Sequence, residues 1–442
     1  MTPTRSKFVA STAVLALVIS ACAGADEQTA ESAPGTTQAP TTTQAPETTT
    51  TTVVEEMAGE ATDDMGAEAM APMPFLELQI AAEALGNNGN ARALAAGLDE
   101  ALGLDGSIES SAAQTFATLA TLLQEHVYLA GIAIDIGLEM GLDSDAFSQA
   151  ADTLDGNSIA LADVVGSVAG SDNRDAFLDL WREHIGFFVD YTLAEASSDA
   201  DAKEQALLNL GSYGEAAGAF FEEITAGELP SAATQESLAG HIDTLTGAID
   251  AAVAGDTSVF SQLMTAAHHV GVDGTARALA TAVVAATGMD GSVDSAASVT
   301  YATLSTLLEE HAYLAGIAVK TAYSAGLDSP AFDAAAAALD ENSVALADLI
   351  GSVDADSRQP FLDLWREHVG FFVDYAVGAV TEDQAAIDQA KIDLGGYGEA
   401  AGAFFESLSG GVIDSATVQS GLGVHIDTLG QAIESLAAVY RG

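Results

Sequence analysis

The feature that most limits how this chain can fold is a long internal repeat. The segment FLDLWREHIGFFVDY at 177–191 returns as FLDLWREHVGFFVDY at 361–375, with a single difference. YGEAAGAFFE at 213–222 returns unchanged at 397–406. Because near-identical segments adopt the same local structure, we expect one folded unit to be present twice.

The two copies are nearly in register along their whole length. The offset is 185 residues from His126 to His311 and 184 from His184 to His368, so one residue is lost in an intervening loop. A chain of 442 residues is also too long for one typical hydrophobic core. We therefore predict two domains, which are repeat 1 (75–255) and repeat 2 (256–442).

Both copies have the apolar spacing of helices. Phe116, Leu119, Leu123 and His126 recur at three- and four-residue intervals. No period-two alternation accompanies a hairpin signal, so we expect an all-α fold of two tandem antiparallel helical bundles. The predicted helices are 75–102, 112–140, 144–166, 173–196, 200–225 and 231–253 in repeat 1, and 259–287, 294–325, 329–351, 357–379, 382–408 and 415–439 in repeat 2.

The N-terminus has the pattern of an export signal. Arg5 and Lys7 precede an apolar run that is too short to span a bilayer, and small residues then lead to Cys22. The ending Ile-Ser-Ala-Cys resembles the lipobox of bacterial lipoproteins. That resemblance implies a signal peptide over residues 1–21, lipidation of Cys22, and a protein anchored on the outer face of the cell membrane. The alternative is an ordinary signal peptide with an incidental cysteine.

Residues 22–74 are rich in Thr, Pro, Ala and acidic side chains, which predicts a disordered linker between the anchor and the helices. The chain carries 12 Lys and Arg against 65 Asp and Glu, for a net charge of −53. A nucleic-acid partner is excluded, because binding phosphates requires a basic surface.

The histidines are the main chemical signal, since all eight fall in predicted helices. Three positions recur in both repeats, on the apolar faces of three different helices. Imidazoles that face inward from three helices can share a metal ion. The alternative is that each one simply hydrogen-bonds within the core. The predicted ligands are His126, His184 and His241 in repeat 1, and His311, His368 and His425 in repeat 2.

Repeat 2 has a further cluster that repeat 1 lacks. Met264, His268 and His269 stand where repeat 1 has Gln79, Glu83 and Ala84. Imidazole and thioether ligands suit copper, so these residues are additional candidate ligands. On this basis we expect repeat 2 to bind metal more tightly than repeat 1.

Several polar residues lie near the histidines in sequence and are candidates to orient them. No Glu-x-x-His pair, HExxH motif or GxSxG motif occurs, so ferritin-like, zincin and serine-hydrolase chemistry is not indicated. No catalytic residues are predicted. The candidate orienting residues are Glu125, Glu183, Tyr191, Glu310, Glu367 and Tyr375.

The segments LWREHIGFFVDY and EHVYLAG, with an N-S-x-A-L-A-D stretch at 157–163 and 342–348, resemble a helical module of secreted Gram-positive proteins labelled copper amine oxidase-like. The label favours copper. Copper amine oxidases form their quinone from a Tyr in an Asn-Tyr-Asp/Glu motif, and this chain has no Asn-Tyr pair. The resemblance therefore does not imply oxidase activity.

These observations lead to three functional hypotheses. The first is an extracytoplasmic, lipid-anchored protein that binds or stores a transition metal, with copper ahead of zinc or iron. The second is a structural or partner-binding cell-surface protein whose histidines only support the core. The third is an enzyme, for which the sequence indicates neither reaction nor substrate.

Overall fold

The computed structural model describes residues 73–441, and in that range the chain is all helix and loop, with no strand. The all-α prediction is confirmed. The predicted signal peptide (1–21), Cys22 and the linker up to residue 72 lie outside the described residues. The helices are α1 (Pro74–Leu85), α2 (Asn90–Leu102), α3 (Ser111–Met140), α4 (Asp145–Ala169), α5 (Ser171–Ser197), α6 (Ala200–Ile224), α7 (Ser231–Ala254), α8 (Val259–Val270), α9 (Thr275–Thr287), α10 (Ala296–Ala325), α11 (Pro330–Val353), α12 (Arg358–Thr381), α13 (Gln384–Leu408) and α14 (Ser415–Arg441), with a short 3-10 turn before α12.

Helix ends follow the capping signals in the sequence. The Ser144 hydroxyl accepts a hydrogen bond from the Phe147 backbone N–H at the start of α4. Ser329 does the same at the start of α11, where Pro330 occupies the first helical position. These contacts satisfy backbone donors that a helix start would otherwise leave without partners.

Two predicted helices are each broken into a pair, so the continuous helices over 75–102 and 259–287 are wrong. At both breaks a glycine closes a tight turn. A Cβ on Gly89 would lie 1.8 Å from the Ala84 carbonyl oxygen, and one on Gly274 would lie 1.7 Å from that of His269. The chain can turn this closely only because these two residues have no side chain.

The repeats exchange their first two helices. In repeat 1, α1 and α2 pack against α10 and α14 of repeat 2. In repeat 2, α8 and α9 pack against helices of repeat 1, with α8 on α3 and α7 and α9 on α3. The boundary at 255/256 thus divides two sequence units whose helices are interleaved in one compact body.

Equivalent positions of the two repeats meet where they join. The central helices α3 and α10 pack together, and Tyr128 stacks on its own counterpart Tyr313 with ring centroids 5.7 Å apart and planes 10° from parallel. The loops pair reciprocally as well. Ala112 N–H donates to the Asp290 carbonyl, and Ala297 N–H donates to the Asp105 carbonyl, each at 3.0 Å. Contacts between like positions indicate an approximate twofold relation between the repeats.

One described helix, α3, is long and apolar enough to cross a membrane, but 78% of its most apolar window is buried inside the protein. Its composition is that of a core helix. It carries one of the histidines described next.

Candidate metal centres

Each repeat brings its three recurrent histidines together in the core. His126 on α3, His184 on α5 and His241 on α7 form triad 1, in which every side chain is buried. Triad 2 is formed in the same way by His311 on α10, His368 on α12 and His425 on α14. The inward orientation inferred from helical spacing is confirmed for all six residues.

The nitrogens are close enough to share one ion. In each triad, one candidate ligand atom per histidine lies within 4.8 Å of the others. The Nε2 atoms of His126 and His184 are 3.4 Å apart, and those of His368 and His311 are 3.3 Å apart. Two nitrogens bound tetrahedrally to zinc at about 2.05 Å are separated by about 3.3 Å. Two ligands of each triad therefore already stand at metal-ligand spacing, and only the third must approach.

Aromatic rings surround the histidines. The ring of His184 stacks on Tyr213 at 4.7 Å and meets Trp181 edge-on at 4.5 Å. The counterpart His368 stacks on Tyr397 at 4.5 Å and meets Trp365 at 4.5 Å. These walls exclude water and restrict rotation of the imidazoles, which preorganises the site.

Burial keeps the imidazoles neutral. It lowers the pKa of His184 to about 3, with a further lowering by His241 that the backbone of Trp181 partly offsets. Burial lowers the pKa of His368 to about 3 and those of His241 and His425 to about 4. The central residues His126 and His311 are also lowered well below 6.5, first by burial and then by the other two histidines of the triad. Neutral imidazole is the form that binds metal, so the lone pairs are available at pH 7.

The triads leave polar atoms without hydrogen bonds inside the protein. Among the described residues, neither buried ring nitrogen of His425 has a hydrogen-bond partner, and neither does the buried Nδ1 of the other five triad histidines. A neutral imidazole always carries one N–H and one lone pair. Hydrogen bonds within the described residues leave a lone pair of each ring without a donor. A bound ion would satisfy that lone pair.

Met264, His268 and His269 do not join a triad. Met264 is packed in the hydrophobic core. His268 Nε2 lies 2.7 Å from Glu310 Oε2, and the ring N–H of His269 donates to the Ser237 carbonyl at 3.0 Å. Because helix exchange places α8 on repeat 1, His269 lies beside triad 1 and helps to lower the pKa of His241. Within the described residues these three side chains are therefore not grouped with either triad, and the expectation that repeat 2 binds metal more tightly than repeat 1 stays a prediction.

The candidate orienting residues contact other partners. Glu183 and Glu367 are exposed on the outer surface, because each precedes its histidine by one residue and so points to another side of the helix. The Tyr191 hydroxyl donates to Asp250 at 3.0 Å and that of Tyr375 to Glu434 at 2.5 Å. None of these four side chains has a hydrogen bond to a histidine among the described residues, so the predicted orienting role is not seen.

Glu125 and Glu310 belong instead to a buried polar cluster between α3 and α10. Glu125 Oε1 accepts hydrogen bonds from Gln79 at 2.7 Å and from Asn157 at 2.9 Å. Burial raises the pKa of Glu125 to about 7; Glu83 adds to this, and the two amide donors oppose it.

The same arrangement occurs around Glu310 and uses residues that the sequence analysis did not single out. Glu310 accepts from Gln124 at 2.6 Å and from Asn342 at 3.1 Å. The signal for the two asparagines was present, since each opens the repeated N-S-x-A-L-A-D stretch. Periodicity could not show that the asparagines meet glutamates, because it does not specify how α4 packs on α3 or how α11 packs on α10.

Comparisons with known proteins give no relative: no family model, no curated protein and no solved structure matches this chain. The geometry of the triads is therefore the main indication of function.

Proposed function

We propose that this protein binds two transition-metal ions, one at each histidine triad, while anchored by lipid on the outer face of the cell membrane. The observation that carries the proposal is the spacing of Nε2 atoms in each triad, 3.4 Å and 3.3 Å between the first two ligands. Three neutral imidazoles with no carboxylate or thiolate among them are a donor set for copper or zinc. Copper is favoured among divalent ions because imidazole sites follow the Irving–Williams order.

Metal analysis of the purified chain after loading with copper or zinc tests the proposal. The wild type should hold two ions per chain, His184→Ala about one, and the double variant His184→Ala/His368→Ala essentially none. The matched control is His268→Ala/His269→Ala, which removes two histidines outside the triads and should retain two ions. If neither the wild type nor any variant takes up an ion under any loading condition, the proposal is contradicted. It is also contradicted if the double variant His184→Ala/His368→Ala still binds metal.

The second candidate function is a structural cell-surface protein in which the histidines bond only to one another. The observation that favours it is the same Nε2 contact, since one neutral ring can donate an N–H to the lone pair of the next. Thermal melting separates the two functions. A metal that binds only the native state raises Tm, whereas the structural role predicts identical melting with metal and with chelator.

The anchor is tested independently of the triads. Replacing the sole cysteine in Cys22→Ser should move the protein from the membrane fraction to the soluble fraction if a diacylglyceryl group holds it there. An unchanged distribution would contradict lipidation without bearing on metal binding.

A further inference from the structure

A cavity of about 380 Å³ lies next to one of the two triads. It is bordered by α10, α11 and α12 of repeat 2, opens to solvent, and has mainly aliphatic and aromatic walls. His311 is the triad residue that lines it. The other lining residues include Ala315, Val319, Leu339, Val369 and Phe372.

The polar groups at the edge of the cavity are paired with one another. Arg366 and Asp340 form a bidentate ion pair at 2.7 Å and 2.8 Å. The Tyr323 hydroxyl donates to the Ala376 carbonyl at 2.8 Å. A charged ligand inside would lose hydration without gaining a counter-charge from these groups, so the cavity suits a neutral molecule.

Several residues that line this cavity differ in size from their counterparts in repeat 1. Repeat 2 has Val319, Val369 and Ala376 at wall positions where repeat 1 has the larger Ile134, Ile185 and Thr192. Of these, Val369 directly follows His368 of triad 2, while Val319 and Ala376 lie about two helical turns beyond the histidines. Repeat 2 is larger at Tyr323, Val380 and Thr381, about three turns beyond the histidines, so the cavity gains room on the side of triad 2 and loses it farther away.

The ion pair at the edge shows the same difference between the repeats. Arg182 and Asp155, the repeat 1 counterparts, have side chains only 22% and 18% exposed, against 44% and 48% for Arg366 and Asp340. The same bidentate pair is thus more open to solvent in repeat 2, where a ligand would enter.

We propose that this cavity binds a small neutral molecule with an apolar body and a nitrogen donor, and that the donor faces triad 2. The orientation of the nitrogen donor toward triad 2 depends on the proposed metal function, because three histidine ligands leave a tetrahedral ion one open position. An apolar cavity of about 150 Å³ is enough for benzene. The larger volume beside His311 accommodates an aromatic ring joined to an imidazole. Repeat 1 would hold its ion without such a ligand.

The probe is 4-phenylimidazole, titrated by calorimetry into the full-length protein, with plain imidazole as the reference. With chelator present, we expect one mole of 4-phenylimidazole per chain and binding at least tenfold tighter than that of imidazole. Val369→Ile/Ala376→Thr gives repeat 2 two of the three larger wall residues of repeat 1 and should weaken the binding at least tenfold. Val424→Ile/Ala400→Thr makes the same chemical changes at exposed positions and should leave it unchanged.

The orientation toward the ion is tested on the cobalt-loaded protein. Addition of 4-phenylimidazole should change the visible spectrum of one of the two cobalt ions, and His368→Ala should abolish that change. Equal binding of 4-phenylimidazole and imidazole, or no effect of Val369→Ile/Ala376→Thr, would overturn the cavity proposal even if metal uptake is normal. Cavity binding with no metal uptake would instead refute the proposed function and the orientation while supporting the cavity.

Discussion

At the scale of single side chains, each triad combines three neutral imidazoles with a buried aromatic surrounding. His184 illustrates the cause, since Trp181 and Tyr213 cover its ring and burial removes the hydration that would stabilise its charged form. The consequence is that a metal ion bound at either triad would not have to displace protons from the imidazoles at neutral pH.

The low pKa values predict unusual acid resistance of metal binding. An exposed histidine site loses its ion as the pH falls through about 6.5, because protons then compete for the lone pair. Here the folded-state pKa values of about 3 for His184 and about 4 for His241 move that competition to lower pH. Affinity should change less than tenfold between pH 7 and pH 5 and fall steeply toward pH 4.

Competition with a metallochromic chelator at each pH measures this dependence. A hexahistidine peptide is the control, and its affinity should fall over the same range. Loss of metal from the protein with a midpoint near pH 6.5 would contradict the prediction.

Glu125 should destabilise the protein at alkaline pH. Its folded-state pKa of about 7 lies above the unfolded value, so the native state favours the protonated carboxyl. The stabilisation that protonation gives is present below about pH 4.5 and is lost as the pH rises through 7. Glu125→Gln keeps an acceptor for Gln79 and Asn157 but cannot ionise, and it should raise the free energy of unfolding by up to about 3 kcal/mol at pH 8.

Urea unfolding at pH 8 and at pH 4.5 measures the difference, which should vanish at the lower pH. Glu183→Gln, at an exposed position one residue before a triad histidine, is the control and should change stability by less than about 0.5 kcal/mol at either pH. A gain from Glu125→Gln that is equal at both pH values would show that ionisation is not its cause.

At the scale of helices, the sequence predicts most elements and which face each one buries. Ser144 and Ser329 placed helix starts correctly because capping is a local interaction. The turns at Gly89 and Gly274 were missed, since apolar residues with helical spacing continue on both sides of each break. Helical periodicity shows which residues share one face of a helix. It does not show that the chain turns between two short helices that follow one another.

Gly89→Ala should destabilise the protein strongly. The new Cβ would lie 1.8 Å from the Ala84 carbonyl oxygen, and that atom belongs to the backbone of α1 and cannot move without unwinding the helix. We expect a loss of about 3 kcal/mol or more in the free energy of unfolding.

Thermal and urea unfolding provide the measurement. Gly156→Ala is the matched control, because Gly156 lies inside α4 with no neighbour within 4 Å of its Cβ position. That variant should gain about 0.5–1 kcal/mol from the better helix propensity of alanine. Comparable effects of the two substitutions would disprove the steric account of the turn.

At the scale of the whole molecule, the dominant feature is the exchange of α1 and α2 for α8 and α9 between the repeats. The repeat predicts that the two units fold alike, but not which unit supplies the covering helices. Both arrangements bury the apolar faces of corresponding helices, so the apolar pattern does not distinguish them. The choice depends on the path of the chain between α7 and α8.

Exchange predicts that one repeat alone should dimerise. A chain of residues 256–442 lacks α1 and α2 to cover α10 and α14, but a second copy can supply α8 and α9 in their place. Light scattering should give twice the monomer mass. Tyr313→Lys, which places two charges against each other at the twofold contact, should reduce dimer formation at least tenfold.

A compact monomer of residues 256–442 with native-like helix content would contradict this prediction. Lys391→Glu, a charge reversal on α13 that is not at the contact between α3 and α10, is the control and should leave dimerisation unchanged.

The packing of α1 on α14 also determines when the molecule can be completed during its synthesis. The apolar side chains of α1, including Phe75, Leu78 and Leu85, leave the ribosome before α10 and α14, the two helices of repeat 2 that cover them. Until α14 follows, this surface is only partly covered, and the open part is exposed to other nascent chains or to a chaperone. A ribosome that stalls before α14 would therefore release a product with an incompletely covered apolar helix, which proteases recognise more readily than the finished molecule.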